Sequence, residues 1–163
     1  PYLVAVNGIA AGAGFSMAIT GDMVFAAKSA KFTEAYTRAG VSPDGSSTWF
    51  LPRLIGHTRA MQLILMNDML TAEKALEWGL VNEVLDDEQL MTRTLEVAHE
   101  LAEGPTLAYG EAKRLVADSH SNTLETQMEL ETRAICGLAS ASADTKEGID
   151  AFTNKRKPTF KGK

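Results

Sequence analysis

The chain has 163 residues, of which 45% are apolar and 23% charged, with only 5 prolines. That balance supports a substantial core and argues against a disordered chain. A net charge of −5 disfavours bulk nucleic-acid binding, and the single cysteine, Cys136, excludes an intramolecular disulfide and a multi-cysteine zinc site.

No apolar run approaches the roughly 20 residues needed to span a bilayer. The opening PYLVAVNGIAAGAGF is apolar but lacks a basic flank, so it does not read as a signal peptide. The expected setting is reducing and cytoplasmic. Leu3–Val6 is a short apolar run ending at Asn7-Gly8, the pattern of a buried strand followed by a turn. A start so committed to a core suggests that the 163 residues are a fragment. Gly12-Ala13-Gly14 then reads as a tight turn opening a buried helix, residues 22–27 as a second strand, and Lys31–Thr33 as a third.

Residues 40–48, GVSPDGSST, form a dense cluster of turn formers. A helix is expected over residues 49–55, stopped by Gly56. Thr58 and Thr71 are candidate N-caps for helices over 59–66 and 72–78, and Gly79 supplies a left-handed stop. Residues 81–85 read as the last strand. Everything after Asp86 is helical by pattern. Asp86, Asp87 and Glu88 suit a helix N-terminus, and Gly104-Pro105 ends one helix and starts the next. A third helix from about residue 122 carries Leu124, Met128, Ile135 and Leu138 on one face, and a fourth spans about 144–156. The order predicts an α/β chain with a core part over 1–85 and a helical part over 86–163.

Charge is uneven. Residues 83–103 hold seven acids and one base, and residues 146–163 hold six bases and two acids. The basic tail is either a solvated end or a site for a polyanionic ligand such as a phosphorylated cofactor. With only His57, His99 and His120, widely spaced, no local histidine metal motif exists.

Two patterns compete for the glycine run. Gly8-x-x-x-Gly12-x-Gly14 after a strand resembles the dinucleotide motif of short-chain dehydrogenases, and Tyr109-x-x-x-Lys113 mimics that family's catalytic pair. Too few strand–helix units separate them, no serine stands suitably upstream of Tyr109, and an i, i+4 pair on a helix is ordinarily surface.

The second pattern covers essentially the whole chain. AVNGIAAGAGFSMAITGDMVFAAKSAKF, GVSPDGSSTWFLPRLIG, LTAEKALEWGLVNEVLDD and EGIDAFTNKRKPTFKGK resemble, in order, segments of the crotonase (enoyl-CoA hydratase/isomerase) superfamily. The likeness leans to the ring-epoxide and enoyl-CoA isomerase branch of phenylacetyl-CoA breakdown. It implies a crotonase-like spiral core of ββα units, with a helical C-terminal region that trimerises. It also implies that the family's early strands, its adenine-contacting loop and a second oxyanion donor lie upstream of Pro1.

The implied chemistry is stabilisation of a thioester enolate by backbone N–H groups, donors placed where charge develops. One N–H falls on Ala13, with Gly12 and Gly14 allowing close approach of an acyl-CoA. Hydratases of the family carry glutamates at positions that match Ser16 and Tyr36 here; Glu34 lies two residues from the second. Simple two-glutamate hydration is therefore not expected. Asp44, in Ser42-Pro43-Asp44-Gly45, matches a catalytic aspartate of several isomerases and the nucleophile of a related dehalogenase.

The expectation is an enoyl-CoA isomerase in which Asp44 takes and returns a proton. The alternatives are a hydratase, another thioester reaction, or a non-catalytic acyl-CoA-binding protein. Ser16, Tyr36, Ser46 and Ser47 are expected around the acyl group, Tyr36 being readable as a pocket wall, a proton donor or, by default, a core residue. Lys155 matches a family lysine on the CoA phosphates. Cys136 stands where a family aromatic faces CoA, and its default is a buried free thiol. No metal or redox cofactor is implied, CoA being part of the substrate. The implied assembly is a homotrimer or a dimer of trimers, without nucleic acid or membrane.

Overall fold

A computed structural model describes all 163 residues. They form two compact units, Tyr2–Glu96 and Val97–Lys163, Pro1 grouping with the latter.

In the first unit, β1 (Leu3–Val6) is followed by β2 (Ile9–Ala11) and the short helix α1 (Ala13–Ile19). β3 (Met23–Ala27) and β4 (Lys31–Thr33) follow, then a 3₁₀ turn at Thr37–Ala39. Next come α2 (Ser47–Ile55), α3 (His57–Met66), β5 (Leu70–Thr71), α4 (Ala72–Trp78) and β6 (Glu83–Leu85).

The strands make two three-stranded sheets, ordered β1-β3-β6 and β2-β4-β5. The first is wholly parallel, with Leu3 opposite Met23 and Phe25 opposite Glu83. Its middle strand is buried from Val24 to Ala27, as a parallel strand covered on both faces should be. In the second sheet β4 runs parallel to β2 and antiparallel to β5. Phe15 of α1 and Phe32 of β4 meet edge to face at 6.4 Å, and both are fully buried.

Local chemistry explains most ends. Thr71 Oγ1 accepts from Lys74 N–H at 3.2 Å, the N-cap expected of it. Gly79 closes α4 at φ 85°, and Leu80, buried beyond it, returns its N–H to Ala75 O. Gly56, at φ 79°, ends α2 and also serves as the N-cap of α3, so Thr58 is a helix residue and not the cap. Helix α2 starts at Ser47, two residues ahead of expectation. Asp86 and Asp87 do not cap a helix. Asp86 pairs with Lys28 at 2.6 Å, and Asp87 accepts from the Ser29 N–H, pinning the β3–β4 turn to the end of β6. Asn82 extends the β3–β6 ladder, its Oδ1 accepting from Val24 N–H at 2.7 Å and its N–H donating to Val24 O.

Helix α5 (Leu90–Ala102) carries the chain into the second unit. There α6 (Thr106–Ser119), α7 (Leu124–Ala141) and α8 (Ala143–Thr153) follow. Pro105 is the N-cap of α6, just outside the helix and not its first residue. Thr123 and Ser142 cap α7 and α8 through their hydroxyls. The apolar stripe of α7 stays exposed: Leu124, Met128 and Ile135 are open to solvent. Cys136 on the same helix is exposed, against the buried thiol expected of it.

The tail folds back on α8. The buried Asp144 accepts from the N–H groups of Lys161 and Gly162, each at 2.7 Å, and its own N–H donates to Lys163 O. Arg156 donates from Nη1 and Nη2 to Glu147 at 2.6 and 2.8 Å. That guanidinium, then the Thr159 N–H, hold the Glu147 carboxyl down to about 2.

Replacing Asn82 by Ala leaves the Val24 N–H, in a buried strand, without its partner. The intact protein should lose about 1–3 kcal/mol of stability, read as a lower urea midpoint.

Candidate active site

The site lies in the first unit, where α1, the segment after β4 and the loop before α2 converge. Gly12 begins it. Its φ of 54° and ψ of −124° are open to glycine alone, and its Cβ-less side faces the Tyr36 ring, where an added Cβ would lie 3.9 Å from Cζ. Ala13 is the first residue of α1, with an exposed side, and no turn or cap hydrogen bond uses its N–H. Gly14 is also exposed. It lines a groove of about 330 Å³ beside β1 and β2 with Val4, Val6, Ala10 and Met17.

One turn into α1, Ser16 is fully buried. Its Oγ lies 3.3 Å from Gly12 O, 3.0 Å from Asp44 O and 3.0 Å from Tyr36 Oη. A hydroxyl has one proton, so Ser16 donates to one of the three at a time. Tyr36 Oη lies 2.5 Å from Asp44 Oδ1. With Asp44 a carboxylate, the phenol donates. Burial, then this bond, push the Tyr36 phenol above its ordinary range, while Ser16 acts the other way. The phenol therefore keeps its proton throughout the neutral range.

The backbone holds Tyr36 tightly. Its N–H bonds back to Glu34 O at 2.8 Å across Ala35, whose φ is 61°. This is a γ-turn of the strained hand, uncommon for a residue with a Cβ. The Tyr36 carbonyl accepts from Ala39 and Val41 N–H.

The loop bearing Asp44 comes equally close to α1. A Cβ on Gly45 would lie 2.7 Å from Ser16 Cβ, and Gly45 sits at φ 59°. Ser46 follows in the left-handed region, φ 67°, as the N-cap of α2 without a side-chain cap bond. Asp44 itself is exposed in this chain, and its carbonyl accepts from Ser47 N–H at 3.2 Å.

Two buried groups beneath the site complete it. Glu34 is fully buried, with Ser47 Oγ donating to its Oε2 at 3.5 Å and Oε1 unpartnered. Burial pushes its carboxyl above the ordinary value of 4.5, and the Ser47 bond only partly opposes this. Sequence reasoning set Glu34 aside for lying two residues from Tyr36. The available signal was strand alternation, which puts Glu34 on the same side as Phe32. The Gly45–Ser16 approach has no signature beyond a glycine in a turn.

Ala13, Gly12, Ser16, Tyr36 and Asp44 are thus brought together. Ser46 and Ser47 stand at the start of α2, the Ser47 hydroxyl turned inward to Glu34. Lys155 belongs to the second unit, where it is exposed, left-handed at φ 51° and without an ion-pair partner. Arg156 beside it is occupied by Glu147 and Asp150. Tyr109 packs against Gly104, and with Glu100, Glu103, Lys157 and Phe160 lines a cavity of about 680 Å³ in that unit, which contains none of the expected site residues.

The sequence profile of the enoyl-CoA hydratase/isomerase family matches residues 1–163, and the chain belongs to that family. It is 47% identical to 1,2-epoxyphenylacetyl-CoA isomerase of Escherichia coli K12 over its full length, spanning 62% of that relative. It is 37% identical over 135 residues, 83% of the chain and 49% of the relative, to a 4-chlorobenzoyl coenzyme A dehalogenase of Arthrobacter. The fold superposes on an enoyl-CoA hydratase subunit of Geobacillus kaustophilus with a TM-score of 0.95 at 38% identity, covering all of this chain and 63% of that one. The fold is therefore crotonase-like.

Two outcomes test the packing. Gly45→Ala forces a Cβ into Ser16 at a left-handed residue and should cost the intact protein about 1–3 kcal/mol, seen in thermal unfolding. For Glu34 the sign follows from its raised folded-state pKa. Its protonated form is favoured by folding, so stability is fullest below the ordinary value of 4.5 and is lost as pH rises through the folded-state value. Glu34→Gln should flatten that decline in urea midpoints taken from about pH 4 to about pH 8.

Proposed function

We propose that the intact protein is an acyl-CoA enzyme that isomerises its substrate through a thioester enolate, shifting a double bond or rearranging a ring epoxide. One observation carries this reading: the site's one exposed carboxylate, Asp44, is hydrogen-bonded to Ser16 and Tyr36, and these two residues hold the positions where hydratases of the family carry glutamates. The similarity to 1,2-epoxyphenylacetyl-CoA isomerase supports the same class.

In the proposed reaction Asp44 takes the proton from the carbon next to the thioester. The C–H electron pair moves into the carbonyl, and the resulting oxyanion accepts a hydrogen bond from the Ala13 N–H. The enolate then collapses toward the far carbon, which receives the proton from Asp44, so the double bond moves and no proton is consumed. Gly12 and Gly14 leave room for the thioester beside the backbone. Lys155 is the proposed partner of the CoA phosphates, its ammonium being free of the ion pairs that occupy Arg156. CoA enters as part of the substrate, and no resident cofactor is assigned.

The exposed Leu124, Met128 and Ile135 of α7, with Ile149 and Phe152 of α8, support a subunit interface, and a homotrimer or dimer of trimers is proposed. No helix is long and apolar enough to cross a membrane; a cytoplasmic location is part of the proposal.

The test is Asp44→Asn in the intact protein, assayed on a short 3-enoyl-CoA and on crotonyl-CoA with CoA-ester binding measured alongside. Isomerase turnover should fall by about 10²–10⁴-fold with binding retained. Turnover near that of the wild type overturns the role of Asp44. Hydration of crotonyl-CoA without isomerisation favours a hydratase, and binding without either reaction favours a non-catalytic acyl-CoA-binding protein.

A further inference from the structure

Asp44 is held at two points. Its side-chain Oδ1 lies 2.5 Å from the Tyr36 phenol, and its main-chain carbonyl lies 3.0 Å from Ser16 Oγ. Tyr36 and Ser16 are themselves 3.0 Å apart, so the three residues close a ring of polar contacts around one loop residue. Asp44 Oδ2 makes no hydrogen bond, and Asp44 is exposed.

We infer that Tyr36, backed by Ser16, is a positioning residue that keeps Asp44 Oδ1 occupied, so that the migrating proton travels on Oδ2 alone. The inference rests on the reading of Asp44 as the base.

The reason lies in the proton count. A carboxylate has two equivalent oxygens, and a proton taken by either is free to leave from either. Once the phenol donates to Oδ1, that oxygen is the poorer proton acceptor and Oδ2 the better. The C–H bond breaks, its proton forms an O–H bond at Oδ2, and its electron pair passes into the enolate. The Oδ2–H bond then breaks, and the same proton bonds to the far carbon while the enolate pair forms that C–H bond. The acceptor of the first transfer and the donor of the second are one oxygen, and the phenol keeps its own proton throughout.

The construction around Tyr36 fits a part that must not move. Its N–H is tied to Glu34 O through the strained turn at Ala35, its carbonyl to two N–H groups, and its ring rests against Gly12. Burial of the phenol and its bond to a carboxylate both oppose its ionisation, so it stays a donor at neutral pH. Ser16 has two carbonyls, Gly12 O and Asp44 O, to receive its proton. Its proton therefore goes to either carbonyl or to the phenol oxygen, while the single phenolic proton stays donated to Asp44 Oδ1.

The experiment uses the intact protein and a short 3-enoyl-CoA in deuterium oxide, measuring kcat, KM and solvent deuterium in the product. Tyr36→Phe removes the phenolic hydroxyl and keeps the ring. The expected result is a kcat lower by about tenfold, a KM within about twofold, and several-fold more solvent deuterium in the product, because Oδ1 is then open to exchange. Ser16→Ala should raise the deuterium content in the same sense with a smaller loss of kcat, and it serves where Tyr36→Phe does not fold. Asp44→Asn is run in parallel. If Asp44→Asn is inactive while both other variants match the wild type in kcat and label, the positioning role is overturned and the base stands. If Asp44→Asn turns over normally, the base falls and this inference falls with it.

Discussion

No side chain fits between Gly45 and helix α1. The backbone of the loop before α2 passes so close to Ser16 that a single methyl group would overlap its Cβ. From that contact the rest of the site follows. Ser16 comes within hydrogen-bond reach of Asp44 O, the Asp44 side chain is turned toward Tyr36, and the chain enters α2 through two successive left-handed residues. A loop built of Val41 to Ser46 buries little apolar surface, and its exposed residues give it no core of its own. Its position is borrowed from α1 through one close approach and a few polar contacts.

Beneath that contact the structure accepts two unfavourable terms. A carboxyl group is buried at Glu34 with one oxygen unpartnered, and a left-handed alanine stands at Ala35. Each costs on the order of 1–3 kcal/mol. Both lie within two residues of Tyr36, and the turn at Ala35 ties the Tyr36 N–H to Glu34 O. Strain and a desolvated acid gathered beside a proposed positioning residue are what a site held by its surroundings looks like, in place of one relaxed into its own minimum.

Much of the fold was legible in the chain. Leu3–Val6 and Met23–Ala27 are apolar runs of full strand length, and Thr71, Gly79 and Gly56 mark helix ends by their own conformational preferences. β2 and β5 were not legible. At three and two residues they carry no alternation, and they exist because β4 offers a ladder from elsewhere in sequence, Ala10 opposite Phe32 and Phe32 opposite Leu70. Asp86 and Asp87 fit a helix start locally, and the β3–β4 turn outbids that use. The apolar face of α7 was correct in its periodicity, but periodicity does not say what covers it. Within the site, Asp44, Ser16 and Tyr36 were reached by resemblance alone. Ser16 meets Tyr36 and Asp44 across 20 and 28 residues of chain, and no local pattern encodes contacts of that separation.

The tail of the second unit is moored in an unusual way. Asp144 holds it by main-chain N–H groups, at Lys161 and Gly162, and by returning its own N–H to Lys163 O. A grip on the backbone is blind to side-chain identity. The chemical demand at residue 161 is only that the residue own an amide hydrogen, which nineteen of the twenty coded amino acids satisfy and proline alone does not. Residue 161 is therefore free to drift in charge and size while its path stays fixed, provided that the aspartate seventeen positions away does not drift with it.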